Sequence, residues 1–107
     1  MNSSIPTSIR IGKTSYKVEC LDRMPSAIVV GRISYGTCTI KIAERSGSPL
    51  RRRSDRAKLT TFWHEAVHGI LYDMGSRKES DEAFVDGIAK RIVQVLSSAK
   101  FADGSQS

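Results

Sequence analysis

Apolar and polar residues alternate near the start of the chain with the two-residue period of β-strands. Ile9 and Ile11 alternate with polar neighbours, a turn is expected at residues 12–13, and the alternation resumes at Tyr16 and Val18. Because successive side chains of a strand point to opposite faces, this pattern predicts a β-hairpin with one buried face.

A second hairpin is predicted further along the chain. The apolar stretch at residues 28–33 forms its first arm, and a bend is expected at residues 35–36. On the return arm Cys38, Ile40 and Ile42 alternate with polar residues, which is typical of a strand with one buried and one polar face.

The spacing of apolar residues changes to three and four after Ser54, which is the period of an amphipathic helix. The residues in this pattern are Leu59, Phe62, Trp63, Ala66, Ile70 and Met74. Ser54 or Asp55 is expected to cap the N-terminus of this helix, and Gly75 suits the position just after its C-terminus.

A second amphipathic helix is predicted after a short polar link. Ser80 is a suitable N-cap, and Asp81 and Glu82 follow in the first turn, where acidic side chains complement the helix dipole. Apolar residues then recur at helical spacing from Phe84 to Leu96.

Strands followed by helices predict an α+β fold, in which the strands precede two helices. With 107 residues, the chain fits a single domain. We expect this domain at residues 8–98, with flexible tails at residues 1–7 and 99–107.

The composition is that of a basic globular domain, with a formal net charge of +6 and 39% hydrophobic residues. The two cysteines, Cys20 and Cys38, are too few for a disulfide framework and indicate a reducing compartment. The N-terminus does not resemble a signal peptide, and no stretch is apolar enough to span a membrane. We therefore expect a cytoplasmic protein, in the host cytoplasm if a phage encodes it.

The basic residues cluster before the first predicted helix, at Arg51, Arg52, Arg53 and Arg56. Such a cluster can contact nucleic acid or an acidic target. A solvated, basic helix start explains the same residues, and we favour that interpretation.

The first predicted helix contains the sequence His64-Glu65-Ala66-Val67-His68, an H-E-x-x-H motif. Side chains four residues apart on a helix share one face, so both imidazoles can reach one zinc ion. Glu65 is then suited to take a proton from a water on the zinc, which predicts peptide-bond hydrolysis. The chain has only these two histidines, and two surface histidines beside a solvated glutamate are the alternative interpretation.

A third protein ligand is needed, and it cannot be a histidine. The acidic candidates after the motif are Asp73, Glu79, Asp81, Glu82 and Asp86, and a cysteine is a less favoured choice. We favour Glu82, because the second helix can fold back on the first. Glu79 and Asp86 are the alternatives, and either can instead orient a ligating histidine through a hydrogen bond.

Tyr72 lies one helical turn after His68 and is a candidate hydrogen-bond donor to the tetrahedral intermediate of hydrolysis. An amphipathic residue at the helix edge is the more common explanation of such a tyrosine.

The sequences TFWHEAVHGIL, from Thr61, and EAFVDGIA, from Glu82, resemble segments of small phage-encoded zinc metallopeptidase-like proteins. These proteins are similar to the ImmA/IrrE group of metallo-endopeptidases and to gluzincins, and the resemblance extends over about residues 9–96. It implies a minimal zincin-like fold, in which a small antiparallel sheet packs against the active-site helix. His64, His68 and Glu82 are then the zinc ligands and Glu65 is the base.

The resemblance also implies that an edge strand beside the metal pairs with the extended backbone of a substrate. The candidate segment contains Thr37, Thr39 and Lys41. The expected activity is a zinc metallo-endopeptidase that cleaves a cytoplasmic protein. The alternatives are a non-catalytic zinc-stabilised protein that binds a host protein or nucleic acid, and a DNA-associated regulator that uses the arginine cluster.

Overall fold

The computed structural model describes residues 5–102, which fold as a mixed sheet followed by two helices. The elements are β1 (Ser8–Ile11), β2 (Thr14–Leu21), β3 (Gly31–Ser34), β4 (Thr39–Ala43), β5 (Arg45–Ser46), β6 (Arg51–Arg52), α1 (Asp55–Asp73), a 3-10 helix (Arg77–Ser80) and α2 (Glu82–Ser98). The predicted α+β class is confirmed.

The main sheet has the strand order β1-β2-β4-β3. The two predicted hairpins are present, because β1 pairs antiparallel with β2 and β3 pairs antiparallel with β4. The central pair β2 and β4 is parallel, so the sheet is mixed and not purely antiparallel as predicted. The connection at residues 22–30 produces this arrangement, because it carries the chain past the end of β2 and places β3 at the outer edge.

One face of the sheet packs against α1 and forms the main hydrophobic core. Phe62 and Ala66 of α1 are buried there against apolar side chains of the strands. The buried strand residues of this core are Ile11, Tyr16, Val18, Ile40 and Ile42. A second cluster forms where Val67 and Leu71 of α1 meet Val85 of α2. The two clusters hold α1 between the sheet and α2.

The ends of α1 follow the predicted capping. The Ser54 hydroxyl accepts a hydrogen bond from the Ala57 N–H at the N-terminus. Gly75 follows the C-terminus with a φ of +67°, a left-handed conformation in which glycine is least strained. The N-cap of α2 is Asp81 and not the predicted Ser80, because Ser80 belongs to the 3-10 helix that tightens the turn before α2.

The described parts of the two predicted tails differ in structure. Ile5 packs against the main core, and the Thr7 carbonyl accepts a hydrogen bond from the Val18 N–H at 2.9 Å. These residues therefore continue the domain on its N-terminal side. Residues 99–102 follow the end of α2 without regular secondary structure, and the rest of both tails lies outside the described residues.

Within residues 5–102, no helix combines the length and the apolarity that crossing a membrane requires.

The arginine cluster divides into two groups with different surroundings. Arg51, Arg52 and Arg56 are exposed, as expected for a solvated surface. Arg53 is half-buried, and its guanidinium donates hydrogen bonds to the Ala43 carbonyl at 3.0 Å and to the Ala57 carbonyl at 3.2 Å. Arg53 therefore ties the end of β4 to the first turn of α1, and the nucleic-acid contact of the cluster stays a prediction.

We expect the substitution Arg53→Ala to lower the free energy of unfolding by about 1–3 kcal/mol, because two backbone carbonyls lose a charged donor. Chemical denaturation measures this change. The matched control is Arg52→Ala, which removes the same charge at an exposed position and should change stability by less than about 0.5 kcal/mol. Equal effects of the two substitutions would contradict this role of Arg53.

Candidate metal centre

His64 and His68 lie on the side of α1 that borders an open cleft. They are one helical turn apart, and their ring centroids are 4.9 Å apart. The 3-10 helix packs beside this turn and places the N-terminus of α2 over the histidines. As a result, Glu82, the first residue of α2, comes into contact with both rings.

The three side chains converge on one carboxylate oxygen. His64 Nε2 lies 2.9 Å from Glu82 Oε1, and His68 Nε2 lies 3.3 Å from the same atom. Ligand atoms of a tetrahedral zinc site, with bonds of about 2.0–2.1 Å, are separated by about 3.3 Å. The spacing of these three atoms is therefore suited to holding a metal ion.

The hydrogen bonding of His68 fixes the ring nitrogen that faces Glu82. Its Nδ1 donates to the Glu79 carbonyl at 2.7 Å, so in the neutral ring Nε2 carries a lone pair. This lone pair faces Glu82 Oε1 at 3.3 Å. Because both atoms are hydrogen-bond acceptors, they attract each other only when a cation or a proton lies between them. A metal cation or a proton at this point therefore satisfies both groups.

The alternative acidic residues take other positions in the structure. Asp81 caps α2 through the Phe84 N–H, and the Asp73 carboxylate lies beside Gly12. Asp86 Oδ1 lies 3.5 Å from His64 Nδ1, on the side of the ring away from Glu82 Oε1. Among the described residues, the atoms grouped for metal binding belong to the two histidines and Glu82.

Asp86 links His64 to a lysine. Its other carboxylate oxygen lies 2.8 Å from Lys90 Nζ, and the hydrogen bond from Lys90 lowers the pKa of the Asp86 carboxyl. The ionised Asp86 favours a proton on His64 Nδ1, which leaves Nε2 free to bind a metal. Both histidines can therefore present Nε2 to the same point.

A further residue beside the centre, Tyr35, had no specific signal in the sequence. Its hydroxyl donates to Glu79 Oε2 at 2.6 Å, so Tyr35 holds the residue whose carbonyl orients His68. Burial and the hydrogen bond to Glu79 raise the pKa of Tyr35, which keeps the hydroxyl protonated as a donor. Only the fold reveals this contact, because Tyr35 precedes Glu79 by 44 positions.

Tyr72, the candidate stabiliser of the tetrahedral intermediate, stacks on Tyr35. The two rings are nearly parallel, with centroids 3.8 Å apart, and Tyr72 is half exposed. Tyr35 lines the cleft, whereas Tyr72 is not among the residues that line it. Tyr72 therefore supports the ring of Tyr35, and its role at the reaction centre stays a prediction.

Glu65 lines the same cleft as the histidines, and only 9% of the residue is exposed. Burial raises the pKa of its carboxyl, although the neighbouring imidazoles of His64 and His68 act in the opposite direction. Gly31 of β3 passes directly over Glu65, because a Cβ atom at Gly31 would lie 3.2 Å from Glu65 Oε2. The carboxyl is thus enclosed between α1 and the edge strand.

The cleft has a volume of about 560 Å³ and runs between β3 and the N-terminus of α2. The acidic side chains form one wall, and residues 29–33 form the other. The edge strand beside the centre is therefore β3.

The predicted pairing segment with Thr37, Thr39 and Lys41 is wrong for a topological reason. Thr39 and Lys41 belong to β4, which has β2 on one side and β3 on the other, so its backbone groups are already paired. Thr37 lies in the turn that precedes β4.

The main-chain groups of β3 alternate between β4 and the free edge. The Ala43 N–H donates to the Val30 carbonyl at 2.9 Å, so this pair is hydrogen-bonded across the two strands. Hydrogen-bonded pairs alternate along an antiparallel ladder, so Arg32 is the next residue of β3 whose groups face β4. The N–H and C=O groups of Gly31 and Ile33 therefore point to the free edge.

No protein-family model matches the chain, and searches of curated proteins and of solved structures find no match.

We expect Tyr35→Phe to weaken the binding of a divalent ion by up to about 10-fold, the lower end of losses caused by removing an outer hydrogen bond. The substitution keeps the ring stack but releases the Glu79 side chain. Competition with a chelator measures the affinity. The control is Tyr72→Phe, which also removes a tyrosine hydroxyl from the stack and should leave the affinity unchanged. Equal affinities of Tyr35→Phe and wild type would contradict the positioning role of Tyr35.

Proposed function

We propose that this protein is a zinc-dependent metallopeptidase that cleaves a protein target in the cytoplasm. The observation that supports this most directly is the convergence of His64 Nε2, His68 Nε2 and Glu82 Oε1 at one point in an open cleft. A buried carboxylate, Glu65, lines the same cleft.

The donor set supports zinc as the metal. Two imidazoles and one carboxylate form a common ligand set of catalytic zinc sites, which keep a fourth position for water or substrate. The Glu82 side chain is 71% exposed, so the centre is open on its cleft side. Zinc, when bound, supplies a Lewis acid for the carbonyl of the substrate and makes water a better nucleophile.

Glu65 is proposed as the general base. Its carboxylate removes a proton from the attacking water and can return it to the leaving amine. Burial raises the pKa of this carboxyl, which makes its carboxylate a better proton acceptor. His64 and His68 stay fixed during these steps, because Asp86 and the Glu79 carbonyl hold their Nδ1 sides.

The proposed binding mode for the substrate is strand addition to β3. An extended peptide can pair with the outward N–H and C=O groups of Gly31 and Ile33, which lie along the cleft beside Glu65. This role replaces the one first assigned to the segment that contains Thr37, Thr39 and Lys41. The resemblance of the H-E-x-x-H and E-x-x-x-D segments to small zinc metallopeptidases supports the same function.

The metal proposal is tested by measuring the zinc content of the purified protein by mass spectrometry. The wild type should bind one zinc ion per chain, and His64→Ala and Glu82→Ala should lose it, because each removes a donor. Glu82→Gln should also lose zinc. Its matched control is Glu79→Gln, three positions earlier, which keeps the backbone carbonyl that His68 contacts and should retain zinc. Zinc loss in Glu79→Gln with retention in Glu82→Gln would overturn the ligand assignment.

The catalytic proposal is tested with a peptide library analysed by mass spectrometry. Glu65→Gln should retain zinc but cleave about 10²- to 10⁴-fold more slowly, because it lacks the proton acceptor. A zinc-loaded wild type without any cleavage would favour the alternative, a zinc-stabilised protein that binds its target without hydrolysis. Equal cleavage by wild type and Glu65→Gln would exclude Glu65 as the base.

A further inference from the structure

The face of the main sheet that points away from α1 is open and polar. The strand registers place on this face the residues Ser8, Arg10, Ser15, Lys17, Glu19, Arg32, Ser34, Thr39 and Lys41. Leu21 and Ala43 share the face at the end nearest β5. The residues of the other face are the apolar ones that pack on α1.

Each of the four strands contributes one basic side chain to this open face. Arg10 comes from β1, Lys17 from β2, Lys41 from β4 and Arg32 from β3, and all four residues are exposed. The one acidic strand residue on the face is Glu19, which lies 3.5 Å from Lys17 in an exposed ion pair. The face therefore carries a clear excess of positive charge.

The basic side chains are spread over all four strands, with Glu19 beside Lys41 in the register of β2 and β4. Arg32 and Lys41 are direct neighbours in the register of β3 and β4. With strands about 4.8 Å apart, the distance from β3 to β1 across the sheet is roughly 14 Å. Ser34 and Thr39 pair two positions further along the register of β3 and β4, and their hydroxyl groups lie beside the charged side chains.

We propose that this open face binds the phosphate backbone of a nucleic acid. Arginine, lysine and hydroxyl side chains are the groups that contact phosphates, and surfaces that bind nucleic acids are polar and strongly positive. Protein-binding surfaces instead have apolar or aromatic anchors at their centre. The strand residues on this face include no aromatic side chain, which favours contacts to phosphates over stacking on bases.

The surface differs from the arginine cluster that precedes α1. In that cluster the Arg53 guanidinium donates hydrogen bonds to backbone carbonyls. Arg51 and Arg52 belong to the small β5–β6 hairpin outside the main sheet. These two exposed arginines therefore provide a control of equal charge at a different place.

The test measures the binding of a fluorescent DNA duplex by anisotropy between about 50 and 200 mM salt. Four phosphate contacts predict that the logarithm of the affinity falls with the logarithm of the salt concentration with a slope of about −3.6. The double variant Arg10→Ala/Lys41→Ala leaves out Arg32, because that residue also lines the cleft. It should weaken binding and reduce this slope by about 2. The control Arg51→Ala/Arg52→Ala, with the same net charge, should bind as the wild type does.

Three results would overturn the proposal. The first is equal weakening in both double variants, which indicates attraction to net charge alone. The second is the absence of salt-dependent binding by the wild type. The third is equal competition by polyglutamate and unlabelled DNA, which indicates an acidic protein as the partner. A parallel titration with duplex RNA shows which nucleic acid binds more tightly.

Folding and zinc content are measured on the same samples. The substituted side chains point to solvent, so both double variants should retain the circular dichroism of the wild type. Because DNA binding does not require the metal centre, a protein without zinc or peptidase activity can still confirm or exclude this surface.

Discussion

The structure depends on two turns of α1 that contact the sheet, α2 and the cleft at the same time. Residues of an α-helix are rotated by about 100° from one to the next, so consecutive positions face different directions. Phe62 and Ala66 face the sheet, Val67 faces α2, and His64 and His68 face the cleft. Packing on two sides fixes the rotation of the helix, so both histidines project into the cleft, where the Glu79 carbonyl and Asp86 contact their Nδ1 atoms.

The side chains that converge at the candidate centre could be predicted from local sequence. Two histidines four residues apart must share a helix face, and an acidic residue at the start of the next helix can reach them after a tight turn. The contact between Glu82 and both imidazoles agrees with that reasoning. The alternation of apolar residues likewise located both hairpins, because the burial of one sheet face is encoded residue by residue.

Other features depend on contacts between distant parts of the chain. Alternation identifies the faces of a strand but not its neighbours, so the parallel pair of β2 and β4 had no local signal. The hydrogen bond of Arg53 to the Ala43 carbonyl and that of Tyr35 to Glu79 also depend on tertiary contacts that local sequence does not reveal. The orientation of His68 depends on a backbone carbonyl, which every residue possesses, and no side-chain pattern reveals it.

The shortness of β3 limits how a polypeptide can be recognised beside the centre. The strand has four residues, a length of about 13 Å, and only two of them direct main-chain groups outward. Hydrogen bonds of this kind contribute about 0.5–1.5 kcal/mol each, so such a short edge holds a flexible chain weakly. Under the proposed function, selectivity among targets then requires a second point of attachment on the protein, away from this edge.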